Sequence, residues 1–146
     1  MTTPESSNLI TTSEGMRDVL RVAKRIAIIG IKPEDHASAP AFYVPRYLQQ
    51  AGYEIVPVPV YYPEVTTILG EPVYRRLTDV PGHIDMVVVF RRPGDVTGHV
   101  EEILEKKPDA VWLQLGIRND EAAARWAAAG IKVVQDRCSM VEHRAL

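Results

Sequence analysis

The 146-residue chain predicts a single α/β domain, a doubly wound, mostly parallel sheet of five or six strands with helices on both faces. Three observations carry that prediction. Short, nearly unbroken apolar runs, above all Arg25-Ile26-Ala27-Ile28-Ile29 and Ile84 to Phe90, read as strands buried on both faces, the habit of parallel sheets. Segments with helical spacing separate those runs by short links. Gly30 closes the first run, where a parallel strand delivers the chain to the ligand-binding edge of such a sheet.

Taken in order, Thr11 and Glu14 have capping-box spacing, and Met16, Val19, Leu20 and Ala23 follow at helical intervals, so a helix is expected over 13–23. The first twelve residues, MTTPESSNLITT, are polar and expected to be flexible, which leaves 13–146 as the domain. Strand one is 25–29. The loop 31–40 carries Pro33, Pro40 and small residues that predict no regular structure. Phe42, Tyr43, Tyr47, Leu48 and Ala51 mark a helix stopped by Gly52; Pro45 inside it means that the helix begins near Val44 or that its first turn is distorted. Strand two is Glu54 to Val58, ended by the prolines at 57 and 59, and a short edge strand is expected within 68–74, where Pro72 is tolerable only at an edge.

Ile84 to Phe90 is the next buried strand, followed by a helix bearing Val96, Val100, Ile103 and Leu104 that Asp95 can cap and Lys106-Lys107-Pro108 ends. Ala110 to Leu115 is a strand stopped by Gly116. Asn119 caps a helix with Asp120 and Glu121 in its first turn and Gly130 beyond its last, and Ile131 to Val134 is the final strand.

A formal net charge of −2 gives no electrostatic case for nucleic acid or an anionic membrane. No apolar run approaches the roughly 18 residues of a membrane span, and the amino terminus lacks the pattern of a secretory signal. The single cysteine, Cys138, has no internal disulfide partner and suits a reducing cytoplasm. His36, His83, His99 and His143 do not fall at metal-ligand spacing, and Cys138 with His143 is too isolated a pair for zinc; as nucleophile and base the pair lacks an orienting acid. Trp112 and Trp126 read as core. No catalytic residue and no metal ligand is assigned, and a homodimer or a protein partner stays open.

In a parallel sheet the carboxyl ends of the strands share one edge. The segments there are Gly30-Ile31-Lys32, Pro59-Val60-Tyr61, Arg91-Arg92-Pro93, Gln114-Leu115-Gly116 and Asp136-Arg137-Cys138. Three carry cations and none of the first four carries a carboxylate, so the edge suits an anion, phosphate above all. The helix after strand one should offer free amides to a pyrophosphate. The three-glycine dinucleotide fingerprint is absent, and no acid follows strand two to take ribose hydroxyls; Val58, Pro59 and Val60 offer an apolar surface for a purine instead. Of Arg91 and Arg92, one is expected to contact the ligand; the other is solvated, caps a carbonyl or pairs with Asp95 or Glu101.

Three strings together carry a resemblance: Val89-Phe90-Arg91-Arg92-Pro93, then Val111 to Ile117, then Asp136-Arg137-Cys138 with Val141-Glu142-His143. In this order and spacing, from about residue 20 to the carboxyl terminus, the chain resembles the small bacterial CoA-binding proteins, stand-alone Rossmann-like domains similar to the nucleotide-binding domain of the succinyl-CoA synthetase alpha subunit. The resemblance implies a coenzyme A site. Its pyrophosphate would lie near Gly30, Ile31 and Lys32, with Ser38 of the same loop among the binding residues. Adenine and ribose would lie near Val58 and Pro59, and the pantetheine would run past Phe90, Arg91, Arg92 and Pro93 toward Gln114 and Gly116. The 3′-phosphate of CoA accounts for the missing ribose acid. Lys32 and the Pro59-Val60 pair depart from the family's usual residues, and the phosphorylated-histidine loop of the synthetase has no counterpart, so ligase chemistry is not implied. Cys138 could then reach the thiol end of the ligand, though a buried inert thiol is the simpler reading. The expected function is binding of CoA or an acyl-CoA by a cytoplasmic carrier, sensor or regulatory protein without catalysis of its own. The alternatives are a nucleotide- or NAD(P)-dependent enzyme and a phospho-receiver module.

Overall fold

The computed structural model describes residues 7–146. In chain order its elements are α1 (Ser13–Val22), β1 (Arg25–Ile29), α2 (Pro40–Gln50), β2 (Glu54–Val58), β3 (Thr67–Ile68), β4 (Glu71–Pro72), β5 (Met86–Val89), α3 (Val100–Lys106), β6 (Ala110–Leu113), α4 (Asp120–Ala128), β7 (Lys132–Val134) and α5 (Ser139–Arg144). Five strands form one parallel sheet in the order β2-β1-β5-β6-β7. Alternate residues along each strand serve opposite faces. Ile26, Ile28, Ile55, Met86, Val88 and Trp112 pack with residues of α1 and α2. Ala27, Ile29, Val56, Val87, Val111 and Leu113 pack with residues of α3 and α4. Both tryptophans are fully buried, as expected of core. Among the described residues no helix is long and apolar enough to cross a membrane.

Several elements differ from the sequence expectation, each for a local reason. The cap of α1 is Thr12, not Thr11: its hydroxyl accepts from the Gly15 amide at 3.1 Å. Residues 8–10 lie along β7, with Ile10 N donating to Val133 O and Val133 N to Asn8 O, both at 2.8 Å, so this part of the expected flexible segment is an ordered edge. The rest of that expectation, on residues 1–6, lies outside the described residues. The C-terminal helix α5 was not foreseen, because six residues are too few for a helical period to register. Asp95 does not cap a helix. Residues 93–99 form a 3-10 segment without a side-chain cap, and the α-helix starts only at Val100.

Pro45 sits inside α2, which nevertheless starts at Pro40. A proline lacks the N–H that would bond the carbonyl four residues earlier, here that of Ala41. That carbonyl accepts instead from the Lys32 amide at 3.1 Å, so the loop after β1 is bonded where the proline left an acceptor free. The same loop contains a 3-10 turn, Glu34–His36, where no regular structure was expected.

The anticipated edge strand is a separate antiparallel ribbon, β3 with β4. Its two-residue turn, Leu69-Gly70, has positive φ at both positions (56° and 76°). A leucine is strained there, and both of its backbone polar groups are held: Glu34 Oε2 accepts from its N–H and Gln49 Nε2 donates to its carbonyl, each at 2.9 Å.

Gly30 turns the chain at φ +84°, and a Cβ placed on it would lie 2.2 Å from the Phe90 carbonyl oxygen. We expect Gly30→Ala to destabilise the fold by at least about 2 kcal/mol, combining a left-handed backbone with a steric overlap that only strand movement relieves. Thermal unfolding of the variant measures this; an unchanged midpoint would show that β1 and β5 are not held together at this point.

Candidate functional site

The strand order reverses between β1 and β5: from β1 the chain steps outward to β2, then returns to place β5, β6 and β7 on the other side. The carboxyl ends of these two neighbours therefore diverge and leave a crevice, as at the switch points of other open parallel sheets. Here the crevice measures about 330 Å³. Lys32 comes to it from β1, Pro40, Tyr43 and Val44 from α2, Phe90 from β5, Gln114, Leu115 and Ile117 from the segment after β6, and Cys138 from the turn before α5. Three of the five strand-end segments singled out in the sequence, those after β1, β6 and β7, thus share one cavity, and the segment after β5 reaches it only through Phe90, the residue before Arg91. The segment after β2 does not line it, but the Tyr61 ring lies under the Arg91 guanidinium, 5.8 Å from its centroid, so these two segments meet each other beside the crevice.

Of the candidate binding residues, Lys32, Phe90 and Gln114 line the crevice directly. Gly30 follows the end of β1 outside the lining, its amide bonded to Val58 O at 2.9 Å. Ile31 and Val58 are 1% and 3% exposed core residues, and Pro59 is buried, so the first exposed side chains after β2 are those of Val60 and Tyr61. Ser38, Arg92, Pro93 and Gly116 are exposed, outside the crevice lining, and the Gly116 amide donates to Asp136 Oδ1 at 2.7 Å. The free amides expected after strand one are partly engaged: Gly30 and Lys32 both donate within the protein, and Pro40, in the first turn of α2, has no N–H.

Arg91 is the better-held arginine. Its side chain is 17% exposed and its Nε donates to His99 Nε2 at 3.1 Å, with Asp95 at 3.9 Å from its terminal nitrogen. An arginine Nε can only donate, so His99 Nε2 accepts and its proton sits on Nδ1, which donates to Glu102 Oε1 at 2.6 Å. Glu102 Oε2 in turn accepts from the Leu77 amide at 3.1 Å. A line of bonds with one polarity therefore anchors Arg91 to a half-buried carboxylate while leaving its outer nitrogens at the edge. His99 and Glu102 were not legible as site residues, because their part is played through Arg91 on a helix whose register the sequence misplaced.

Cys138 and His143 are not brought together. His143 Nδ1 meets the Tyr47 hydroxyl at 2.8 Å and its ring packs edge-on against Tyr47 and Tyr53, whereas Cys138 faces the crevice. At the opposite edge of the sheet His83, Asp85 and Asp109 bring ligand-type atoms within 4.8 Å of one another, a grouping that sequence spacing hides because His83 and Asp85 precede β5 while Asp109 precedes β6. Asp85 already accepts from the Lys24 and Arg25 amides, both at 2.8 Å, and thereby fixes the start of β1.

Burial alone would raise the Glu102 carboxyl; the hydrogen bonds from His99 and Leu77, with the charge of Arg76, outweigh it and hold the group below its ordinary value. A carboxyl depressed in the folded state contributes stability above its unfolded value, about 4.3, and loses it as pH falls through the folded value. We expect the protein to lose stability as pH drops below about 5 and Glu102→Gln to flatten that loss. Thermal unfolding across a pH series checks it; parallel curves for the two proteins would remove Glu102 from the acid-labile set.

A family model described as a CoA binding domain matches residues 24–144. The chain is 35% identical over 128 residues, 88% of its own length and 91% of the relative's, to the uncharacterized protein YneT of Bacillus subtilis. It is similar to a solved structure from Thermus thermophilus, cell-free ID.343, at 39% identity and TM-score 0.83, with 92% of this chain and 98% of that one covered. A dinucleotide-forming acetyl-coenzyme A synthetase of Ca. Korarchaeum cryptofilum shares the fold at 18% identity and TM-score 0.64, over 80% of this chain and 27% of that one. A parallel sheet that opens at its switch point and a family match over nearly all of the sheet agree, and the chain belongs to the CoA-binding domain family.

Proposed function

We propose that this protein binds coenzyme A or an acyl-CoA along the carboxyl edge of its sheet, as a cytoplasmic carrier, sensor or regulatory protein without catalysis of its own. The observation that supports this most is the pairing, at one switch point, of an apolar crevice with a cationic rim. CoA has the matching division: a nucleotide end with three phosphates and a slender pantetheine arm. The crevice is too small for the whole ligand and suits the arm, lying between Pro40, Val44, Phe90 and Ile117. Arg91, Arg92 and Lys32 are the groups for the phosphates, and Val60 and Tyr61 offer the purine an exposed apolar and aromatic surface.

Within this reading Arg91 is the principal phosphate group. Its Nε is already fixed on His99, so little side-chain freedom remains to be lost when its outer nitrogens meet an anion. Arg92 is exposed and serves as a weaker, screened partner.

Isothermal titration of the folded protein with CoA and acetyl-CoA at modest salt tests the proposal, and an absence of heat with both ligands would overturn it. Arg91→Ala should weaken CoA binding by roughly tenfold or more, as expected for loss of a hydrogen bond to a charged group, and Arg92→Ala by less. Equal, negligible effects of the two substitutions would take the phosphates away from this rim.

A further inference from the structure

Gln114 is 3% exposed, one of two buried polar side chains among the described residues, and it lies just beyond the end of β6 at the crevice. Its partner is the other. Gln114 Oε1 accepts from the Ser139 amide at 2.9 Å and from the Ser139 hydroxyl at 2.6 Å, and Ser139, the first residue of α5, is fully buried. An amide turned the other way would set its NH₂ group against the Ser139 N–H, so these two bonds settle which end of Gln114 is oxygen. The nitrogen must point away from α5.

That nitrogen has no acceptor among the described residues. It is not a sealed defect either: the fully buried side-chain atom left without a partner in the described structure is Arg17 Nε, so Gln114 Nε2 opens onto accessible space, and the accessible space beside it is the crevice. The surrounding walls, Val44, Phe90, Leu115 and Ile117, are apolar. A fixed, neutral N–H₂ donor in such walls favours a neutral acceptor that is itself carried on an apolar chain.

We propose that Gln114 Nε2 donates to a carbonyl of the pantetheine arm or of the thioester it carries, making Gln114 a specificity-determining residue of the crevice and Ser139 the residue that positions it. The inference rests on the CoA reading above. An amide or thioester carbonyl needs only a neutral donor, which Gln114 Nε2 supplies at the apolar end of the crevice. The crevice thus distinguishes ligands that carry the arm from nucleotides that lack it.

Three ligands separate the contributions: CoA, acetyl-CoA and adenosine 3′,5′-bisphosphate, which keeps the nucleotide and loses the arm. Gln114→Glu preserves the shape and an acceptor for Ser139 while removing the donor; Gln114→Met is the second variant, and thermal unfolding establishes that each is folded. The expected result is a roughly five- to tenfold loss of affinity for CoA and acetyl-CoA with binding of the bisphosphate unchanged. An equal loss for CoA and acetyl-CoA assigns the contact to an arm amide, and a loss confined to acetyl-CoA assigns it to the thioester. Unchanged affinity for both, or an equal loss for all three ligands, overturns the proposal. Failure of the wild-type protein to bind CoA at all would instead overturn the reading on which it rests.

Discussion

The Gly30 backbone and the Phe90 carbonyl approach so closely that no side chain can stand between them. The rest of the edge follows from that contact. It lets β1 and β5 remain hydrogen-bonded neighbours up to Ile29 and Val89 and then sends their continuations apart, one toward Lys32 and α2, the other toward Arg91. With any larger residue the two strand ends would have to separate, and the divergence that makes the crevice would be spread along the sheet instead of gathered at one point. The glycine is therefore required first by packing, and by ligand approach only through what the packing creates.

The edge divides into two environments. Around Arg91 the groups are charged and bonded in series, from the guanidinium through His99 to Glu102 and the Leu77 amide. In the crevice beside it the walls are aliphatic and aromatic, with Lys32 at the margin and one buried amide. Such a split suits a ligand that is itself polyanionic at one end and uncharged along the other.

Much of this was legible from the sequence because burial on both faces leaves a plain mark. The runs at 26–29 and 86–89 carry their apolar character without interruption, and the residues that follow them, Lys32 and Phe90, do meet in one crevice. What escaped depended on groups distant in sequence. Leu69 tolerates a left-handed backbone because Glu34 and Gln49 hold it, an arrangement that no local pattern announces. Val58 and Pro59 looked available for a purine, yet β2 is covered on both faces and the first exposed side chain comes at Val60. The part of His99 is invisible until a 3-10 segment, in place of the expected α-helix, swings its ring to Arg91.

The hydrogen bond from Lys32 to the carbonyl that Pro45 leaves free joins two residues that both border the crevice. Loop and helix are thereby riveted into a single jaw, and slippage of either would strand an acceptor that the helix itself has no donor to satisfy. The facing lip is fastened as well, with the Gly116 amide on Asp136 Oδ1 and the Asp136 amide on the Ile117 carbonyl, and only the Leu115 side chain, 68% exposed, stands loose on it. An opening between two fastened walls keeps its width, so the Leu115 side chain, not either backbone, is the movable threshold of the crevice.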